Sequence, residues 1–404
     1  MTWIYSFFIR LYGLGILLAS KFNPKAKAWV DGRKDWSKNL RLQLPEGRKI
    51  IWFHCASLGE FDQGLPLMKS MKEADPQLFL LVSFFSPSGM QHYQKREAIV
   101  DAACYLPLDT WQNARKFIEI VQPEKAIFIK YEFWPNFLYA LSEKQIPTFA
   151  VSAIFRPNQH YFRWYGHFFR KALKRIQHFY VQNQESLVLL ASIGIDQCTV
   201  SGDLRYSRVI QAKQMAMDKP NELLRIFTEG HTTLILGSSW PKEETIVSEA
   251  LQKLGGIKLI IAPHDVGEGH IQSIVSAFPS AIRYTQLDLN KDHLVLLDSS
   301  VLIIDCIGLL SAAYRYGTIS FIGGGFTGNL HNILEPAVYG LPLLFGPKHQ
   351  KFPEATIFLQ KGFALEVRNS DEFQKAFHSQ LCRVEIIRNE METFVHSQVK
   401  TISL

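Results

Sequence analysis

The 404 residues, with a mass of 46.3 kDa, exceed one ordinary core, and at about 100–200 residues per domain two domains are the expected count. With 47% hydrophobic, 13% aromatic and 20% charged residues, the chain cannot be disordered or collagen-like, and its net charge of +7 favours an anionic partner without naming one. Cys55, Cys104, Cys198, Cys306 and Cys382 are far apart and form no CxxC pair, so neither a disulfide framework nor a zinc site is indicated, and each is expected reduced in a core on the cytosolic side.

In chain order, the run 3–22 is about as long as a membrane helix needs, although Arg10 near its middle opposes a clean span. It lacks the early positive charge and small-residue cleavage site of a secretory signal. Residues 1–40 carry Arg10, Lys21, Lys25, Lys27, Arg33, Lys34 and Lys38 against Asp31 and Asp35. Apolar aromatic sequence followed by basic sequence suits a one-sided anchor on an anionic cytoplasmic leaflet. Trp3, Tyr5, Phe7, Phe8 and Tyr12 fall all round a helix, which favours anchoring over a helix packed on the protein's own core.

After residue 40, candidate strands at 49–54, 78–84, 125–130, 148–152 and 179–182 alternate with helix-length segments at 63–74 and 111–121. Near-continuous apolar strands separated by helices imply a parallel sheet covered on both faces, a Rossmann-like half. Residues 54–60, HCASLGE, follow the first strand. Ser57 and Glu60 have capping-box spacing; alternatively Glu60, at a strand-to-helix turn, is a general base within reach of a substrate hydroxyl. Residues 130–136, KYEFWPN, follow another strand. Either Pro135 simply opens the next helix, or Glu132 and Asn136 orient a polar substrate.

Residues 156–175 hold six cations, Arg156, Arg163, Arg170, Lys171, Lys174 and Arg175, and no acid, with seven aromatics at positions 155–169. Such interleaving serves single-stranded nucleic acid or an anionic lipid surface; beside the N-terminal run, the membrane is the expected partner and nucleic acid is not. Arg10, Lys21, Arg163, Arg170, Lys171 and Lys174 are the expected membrane contacts. An ordinary helix with one solvated face is the alternative.

The pattern weakens over 202–228, which places the domain boundary near 205–225, and restarts with candidate strands at 232–236, 258–262, 294–297, 319–322 and 343–345. The expected divisions are an anchoring helix and linker at 1–38, a first Rossmann-like domain at 39–210, and a second at 211–404 whose last helix packs back on the first. Residues 323–336, GGGFTGNLHNILEP, follow a strand and are expected to open a helix, so that the amides of Gly323, Gly324 and Gly325 and the helix dipole hold a phosphate. The spacing is not GxGxxG, so NAD is not indicated, and His331, Asn332 and Glu335 favour a nucleotide site. Ser238 and Ser239 in GSSWP, and His264 in APHD, also end strands; each either meets an anion or serves as a cap or a solvent-facing group.

Taken in order, these residues resemble the Kdo (3-deoxy-D-manno-oct-2-ulosonic acid) transferase family, the lipid A glycosyltransferases. The resemblance runs through ASLGE at 56–60, SPSG at 86–89, YEFWPN at 131–136, SGDLRY at 201–206, GSSW at 237–240 and GGG…HNILEPAVYGLPLLFGP at 323–347. It implies an α/β glycosyltransferase B fold, with two Rossmann-like domains facing a cleft. It also implies CMP-Kdo as donor substrate with no cofactor or metal, a lipid A precursor as acceptor, and a place on the cytoplasmic face of the inner membrane. The family's catalytic glutamate falls on Glu60, which deprotonates the acceptor hydroxyl as configuration inverts. Ser57, Gly59, Ser86, Ser88, Glu132, Asn136 and Arg205 fall on the acceptor side or serve structure. Ser238, Ser239, His264, Gly323, Gly324, Gly325, His331, Asn332 and Glu335 fall on the donor side. Asp203 and Arg205 stand where the family commonly has Asn and Lys, and Pro263-His264-Asp265 where it often has Arg-His-Pro. The rival readings are a glycosyltransferase with another acidic nucleotide-sugar donor, and a non-catalytic nucleotide-sugar or lipid-binding protein.

Overall fold

The computed structural model describes residues 2–95, 99–288, 291–400 and 402. The chain divides into two compact units, 1–208 with 398–404, and 209–397.

The first unit carries seven parallel strands: β1 (Ile50–Cys55), β2 (Phe79–Phe84), β3 (Ala102–Tyr105), β4 (Lys125–Ile129), β5 (Thr148–Ala153), β6 (His178–Val181) and β7 (Cys198–Val200). Their order is β3-β2-β1-β4-β5-β6-β7, so the winding reverses between β1 and β4. Strand alternation sends Ile50 and Trp52 into one core, with Phe117, Phe128 and Phe137, and Ile51, Phe53 and Cys55 into the other, with Phe61 and Phe84. Both faces are therefore covered, which is why β1 reads as unbroken apolar sequence.

The second unit repeats the plan with β8 (Thr233–Ser239), β9 (Lys258–Pro263), β10 (Ala281–Arg283), β11 (Val301–Ile303), β12 (Ile319–Ile322), β13 (Leu343–Phe345) and β14 (Ala364–Glu366). The order is β10-β11-β9-β8-β12-β13-β14, reversing between β8 and β12. The apolar run 294–297 is not a strand: it lies in the helix His293–Asp298, with only Leu296 buried, and the strand beside β9 on the side away from β8 is β11. Four apolar residues suit either structure. Residues in the weakly patterned 202–228 stretch form two helices, Leu204–Asp218 and Glu222–Thr228. The last helix, Val384–Ser397, belongs to the second unit. All five cysteines are free, but only Cys55 and Cys104 are buried; Cys382 is exposed where the helix Ser370–Leu381 ends at the surface.

The helix Thr2–Ala19 is long and apolar enough to cross a membrane, and 6% of it is buried. At 1.5 Å per residue it spans about 27 Å. Ser6 is its buried residue, while Trp3, Phe7, Phe8, Leu14 and Leu18 are exposed. Specific polar contacts tie it to the rest of the first unit. The Ser6 hydroxyl oxygen accepts from the Trp111 N–H and from Asn136 Nδ2, both at 3.2 Å, and Arg10 donates to Gln112 at 3.0 Å. Arg33, farther along, is half-buried over Trp29, Phe85 and Tyr105 and donates to three carbonyls, so its guanidinium is engaged within the protein.

A buried polar chain joins the two turns at the reversal of the first sheet. The Trp134 indole donates to His54 Nε2 at 3.0 Å, which leaves the ring proton on Nδ1, 2.9 Å from Ser83 Oγ; Trp52 Nε1 donates to the same oxygen at 2.8 Å. Burial pushes His54 down to about 3, so the imidazole is neutral. Replacing His54 by Leu strands the Trp134 N–H and is expected to lower unfolding free energy by roughly 1–3 kcal/mol in denaturant titrations. Because the unfolded histidine takes up its proton first, the His54 contribution is complete above about pH 6.5 and is lost as pH falls towards 3. The plot of stability against pH should be flatter in that window for His54→Leu.

Candidate functional site

In the first unit, β1 ends at Cys55 and the helix Leu58–Ala74 begins three residues later, with Ser57 as its N-cap. The capping box does not form: the Ser57 side chain makes no capping bond, and its hydroxyl donates instead to Glu60 Oε2. Glu60 is buried, and its Oε1 lies 3.9 Å from Lys130 Nζ at the end of β4. Glu132, two residues on, is held above the usual carboxyl range by burial and by the charge of Glu60. Burial likewise pushes the Cys55 thiol up, with Glu60 and Asp62 adding to it. The two glutamates thus flank the reversal between β1 and β4, where ligands of open α/β sheets bind beyond the carboxyl ends of the strands.

The neighbouring residues divide by role. Ser86 caps the helix Pro87–His92, and its hydroxyl lies 3.0 Å from that of Ser88. Gly59 sits in the first turn of the Glu60 helix, where an added Cβ would meet only Ser57 Oγ, at 3.8 Å. Arg205 is turned back onto Asp203 at 2.7 Å. Asn136 takes the structural of its two expected roles. It is fully buried, its side chain donates to Ser6 Oγ and to the Asp109 carbonyl, and its N–H and that of Phe137 donate to the Asp109 carboxylate. Asp109 thereby caps the helix Pro135–Glu143 from outside; burial pushes this carboxyl up to about 7 against the pull of those N–H groups. Among the membrane candidates, Lys21, Arg163, Lys171 and Lys174 are exposed, Arg10 is bonded to Gln112, and half-buried Arg170 donates to the carbonyls of Tyr161 and Arg163.

In the second unit, the loops after β8, β9 and β12 come together at the other reversal. The His264 ring stacks on Trp240, with centroids 4.5 Å apart, and lies 4.6 Å from the ring of His331. Burial and the neighbouring His264 push His331 down. Asn332 Nδ2 donates to Glu335 Oε1 at 3.0 Å while Asn332 Oδ1 accepts from the Leu334 N–H, so these residues form one local turn.

The expected phosphate cradle needs correction. The glycine-rich run does not open a helix; the helix that follows it is Leu334–Ala337, only four residues long. The Gly323 and Gly324 N–H groups are already donated, to the Gly237 carbonyl and to Glu243 Oε1 respectively, both at 2.9 Å. These glycines are needed for close packing: a Cβ on Gly323 would stand 2.0 Å from Ser238 O, and one on Gly325 would stand 2.4 Å from the Gly346 nitrogen. Ser239 is likewise committed, being fully buried and donating to Glu244 Oε1 at 2.7 Å. Ser238, half-buried and left-handed at φ 52°, remains at the loop surface beside exposed His264.

Sequence reasoning missed Glu243 and Glu244, which hold these loops. Glu243 fastens the β12 loop through Gly324. Glu244 holds Ser239 and, on its other oxygen, His270 at 3.1 Å; His270 Nδ1 in turn lies 3.0 Å from the Asp265 carbonyl in the β9 loop. The visible signal was Pro241 followed by two acids, which reads as a helix start.

Residues 33–208 match the family described as 3-deoxy-D-manno-octulosonic-acid transferase (kdotransferase). The 3-deoxy-D-manno-octulosonic acid transferase of Aquifex aeolicus is 26% identical over 81% of this chain and 85% of its own length. That of Rickettsia prowazekii is 24% identical over 94% of this chain and 83% of its own. Among solved structures, UDP-GlcNAc 2-epimerase from Neisseria meningitidis superposes with a TM-score of 0.57 at 14% identity, covering 85% of this chain and 94% of that one. Residues 33–208 thus match the Kdo transferase family, most of the chain is similar to named Kdo transferases, and its two parallel α/β units have the glycosyltransferase B fold.

Proposed function

We propose that the protein transfers Kdo from CMP-Kdo to a lipid A precursor with inversion of configuration. The observation that carries the proposal is the setting of Glu60: a buried carboxylate at the reversal of the first sheet, steadied by the Ser57 hydroxyl. Glu60 accepts the proton of the acceptor hydroxyl as that oxygen bonds to the anomeric carbon of Kdo. The bond from that carbon to the CMP phosphate breaks, and its electron pair leaves with CMP. Ser238, His264, His331, Asn332 and Glu335 are assigned to the donor, and the glycine run shapes its loop. Gly323, Gly324 and Ser239 act through packing, since their polar groups are engaged within the protein.

Exposed apolar surface supports a membrane location. Trp3, Phe7, Phe8, Leu14 and Leu18 of the first helix, and Trp164, 90% exposed, with Tyr165, present aromatic and aliphatic surface. These patches are connected through Tyr5, whose ring packs on Phe168 and Phe169. Lys21, Arg163, Lys171 and Lys174 lie in the same two segments, a combination that suits an anionic inner-membrane leaflet on its cytoplasmic side.

Glu60→Gln is expected to lower kcat for Kdo transfer from CMP-Kdo by about 10²–10⁴-fold while the fold is kept; full transfer by this variant would sink the mechanism. Deleting residues 2–22 should move the protein from the membrane pellet to the supernatant. An acid held above its unfolded value keeps its proton in the folded state after the unfolded chain has released it. Through Glu132, stability should therefore fall as pH rises above about 4.5. Glu132→Gln removes that decline, so its melting temperature relative to wild type should climb across the same window.

A further inference from the structure

One side chain at the first-sheet reversal has no role in the transfer described above. Lys130 follows the last residue of β4, and its N–H still donates to the Val151 carbonyl at 2.9 Å, so the sheet fixes its backbone. That backbone is left-handed, with φ 73°, a conformation that L side chains rarely adopt and that tends to persist where function requires it. The turn delivers Nζ to 3.9 Å from Glu60 Oε1, with the two side chains 24% and 11% exposed.

The other groups around Glu60 leave this charge distinctive. Ser57, from the same helix, donates a neutral hydrogen bond. Cys55, on β1, is a thiol held neutral by burial. Asp62 is anionic and paired with Arg208, on the helix Leu204–Asp218, at 3.1 Å. Glu132, beyond β4, is a second carboxyl that feels the charge of Glu60. Among the described residues, the cation paired with Glu60 is therefore Lys130.

We propose that Lys130 is a positioning residue for Glu60: its left-handed turn sets an ammonium beside Oε1 and holds that carboxylate ready to take the acceptor proton. This rests on the assignment of Glu60 as the base. The proton passes from the acceptor hydroxyl to Glu60 and then to water, and Lys130 keeps its own throughout.

The test compares wild type, Lys130→Met and Lys130→Arg for kcat/KM of Kdo transfer across pH, with thermal unfolding as the check on folding. Lys130→Met should move the acidic limb of the profile up by about one pH unit, a tenfold loss on that limb, with activity recovering at alkaline pH and KM for the acceptor little changed. Lys130→Arg should keep the wild-type limb. Lys130→Gly, which relieves the backbone, should show the same displaced limb as Lys130→Met. Superimposable profiles overturn the proposal, as does a pH-independent loss with a raised acceptor KM, which would make Lys130 a ligand for an acceptor anion. If wild type transfers no Kdo, the function assigned above fails; titration of the Glu60 carboxyl carbon by NMR in wild type and Lys130→Met then still decides, with an unchanged midpoint counting against the proposal.

Discussion

The hydrogen bond between the Trp134 indole and His54 Nε2 is the contact on which the first-unit site depends. Parallel pairing of β1 with β4 brings the two strand ends side by side, but pairing stops where the strands stop, and both glutamates lie beyond. The neutral imidazole, bonded on one side to an indole from the β4 turn and on the other to Ser83 of β2, continues the cross-link past the ladder. A charged histidine could not do this, because both ring nitrogens would then be donors. Burial therefore serves geometry: it keeps one nitrogen an acceptor and so ties the Glu132 turn to the Glu60 turn.

The second unit solves the same problem with carboxylates. In its loops after β8, β9 and β12, two consecutive glutamates in the first turn of the helix Pro241–Leu251 take up a backbone amide, a hydroxyl and an imidazole. Fastening backbone N–H groups internally removes them as anion ligands. At the loop surface stand the stacked rings of Trp240 and His264 and the adjacent ring of His331.

Much of this was legible in the sequence where the determinants are local. The helix Trp111–Val121 was readable to the residue because its apolar positions recur at helical spacing and Thr110 caps it. Glu60 was placed at a strand-to-helix turn because the apolar run of β1 ends abruptly before a serine. What was not legible depends on distant partners. His54 read as part of a motif, yet its function is set by Trp134, 80 residues away. Glu243 bonds Gly324 across 81 residues, so the glycine run looked like an open cradle when two of its donors were already in use. Asn136 offered a polar side chain after a strand, and only packing reveals that it faces Ser6 and Asp109. The left-handed backbone of Lys130 carries no residue-type signal at all, since glycine would be the expected occupant.

The attachment of the first helix through Ser6 bears on where chemistry takes place. Ser6 meets Asn136, and Asn136 sits in the first turn of the helix that Glu132 precedes by three residues. A helix immersed along its aromatic face has a depth set by the bilayer. Its polar inner edge would pass that depth to the turn carrying the second carboxyl. Under the proposed function the linkage would act as a depth gauge, fixing the height of the glutamates above the acyl chains, so that an acceptor whose sugar stood farther from its lipid would miss them even though every group of the site were intact.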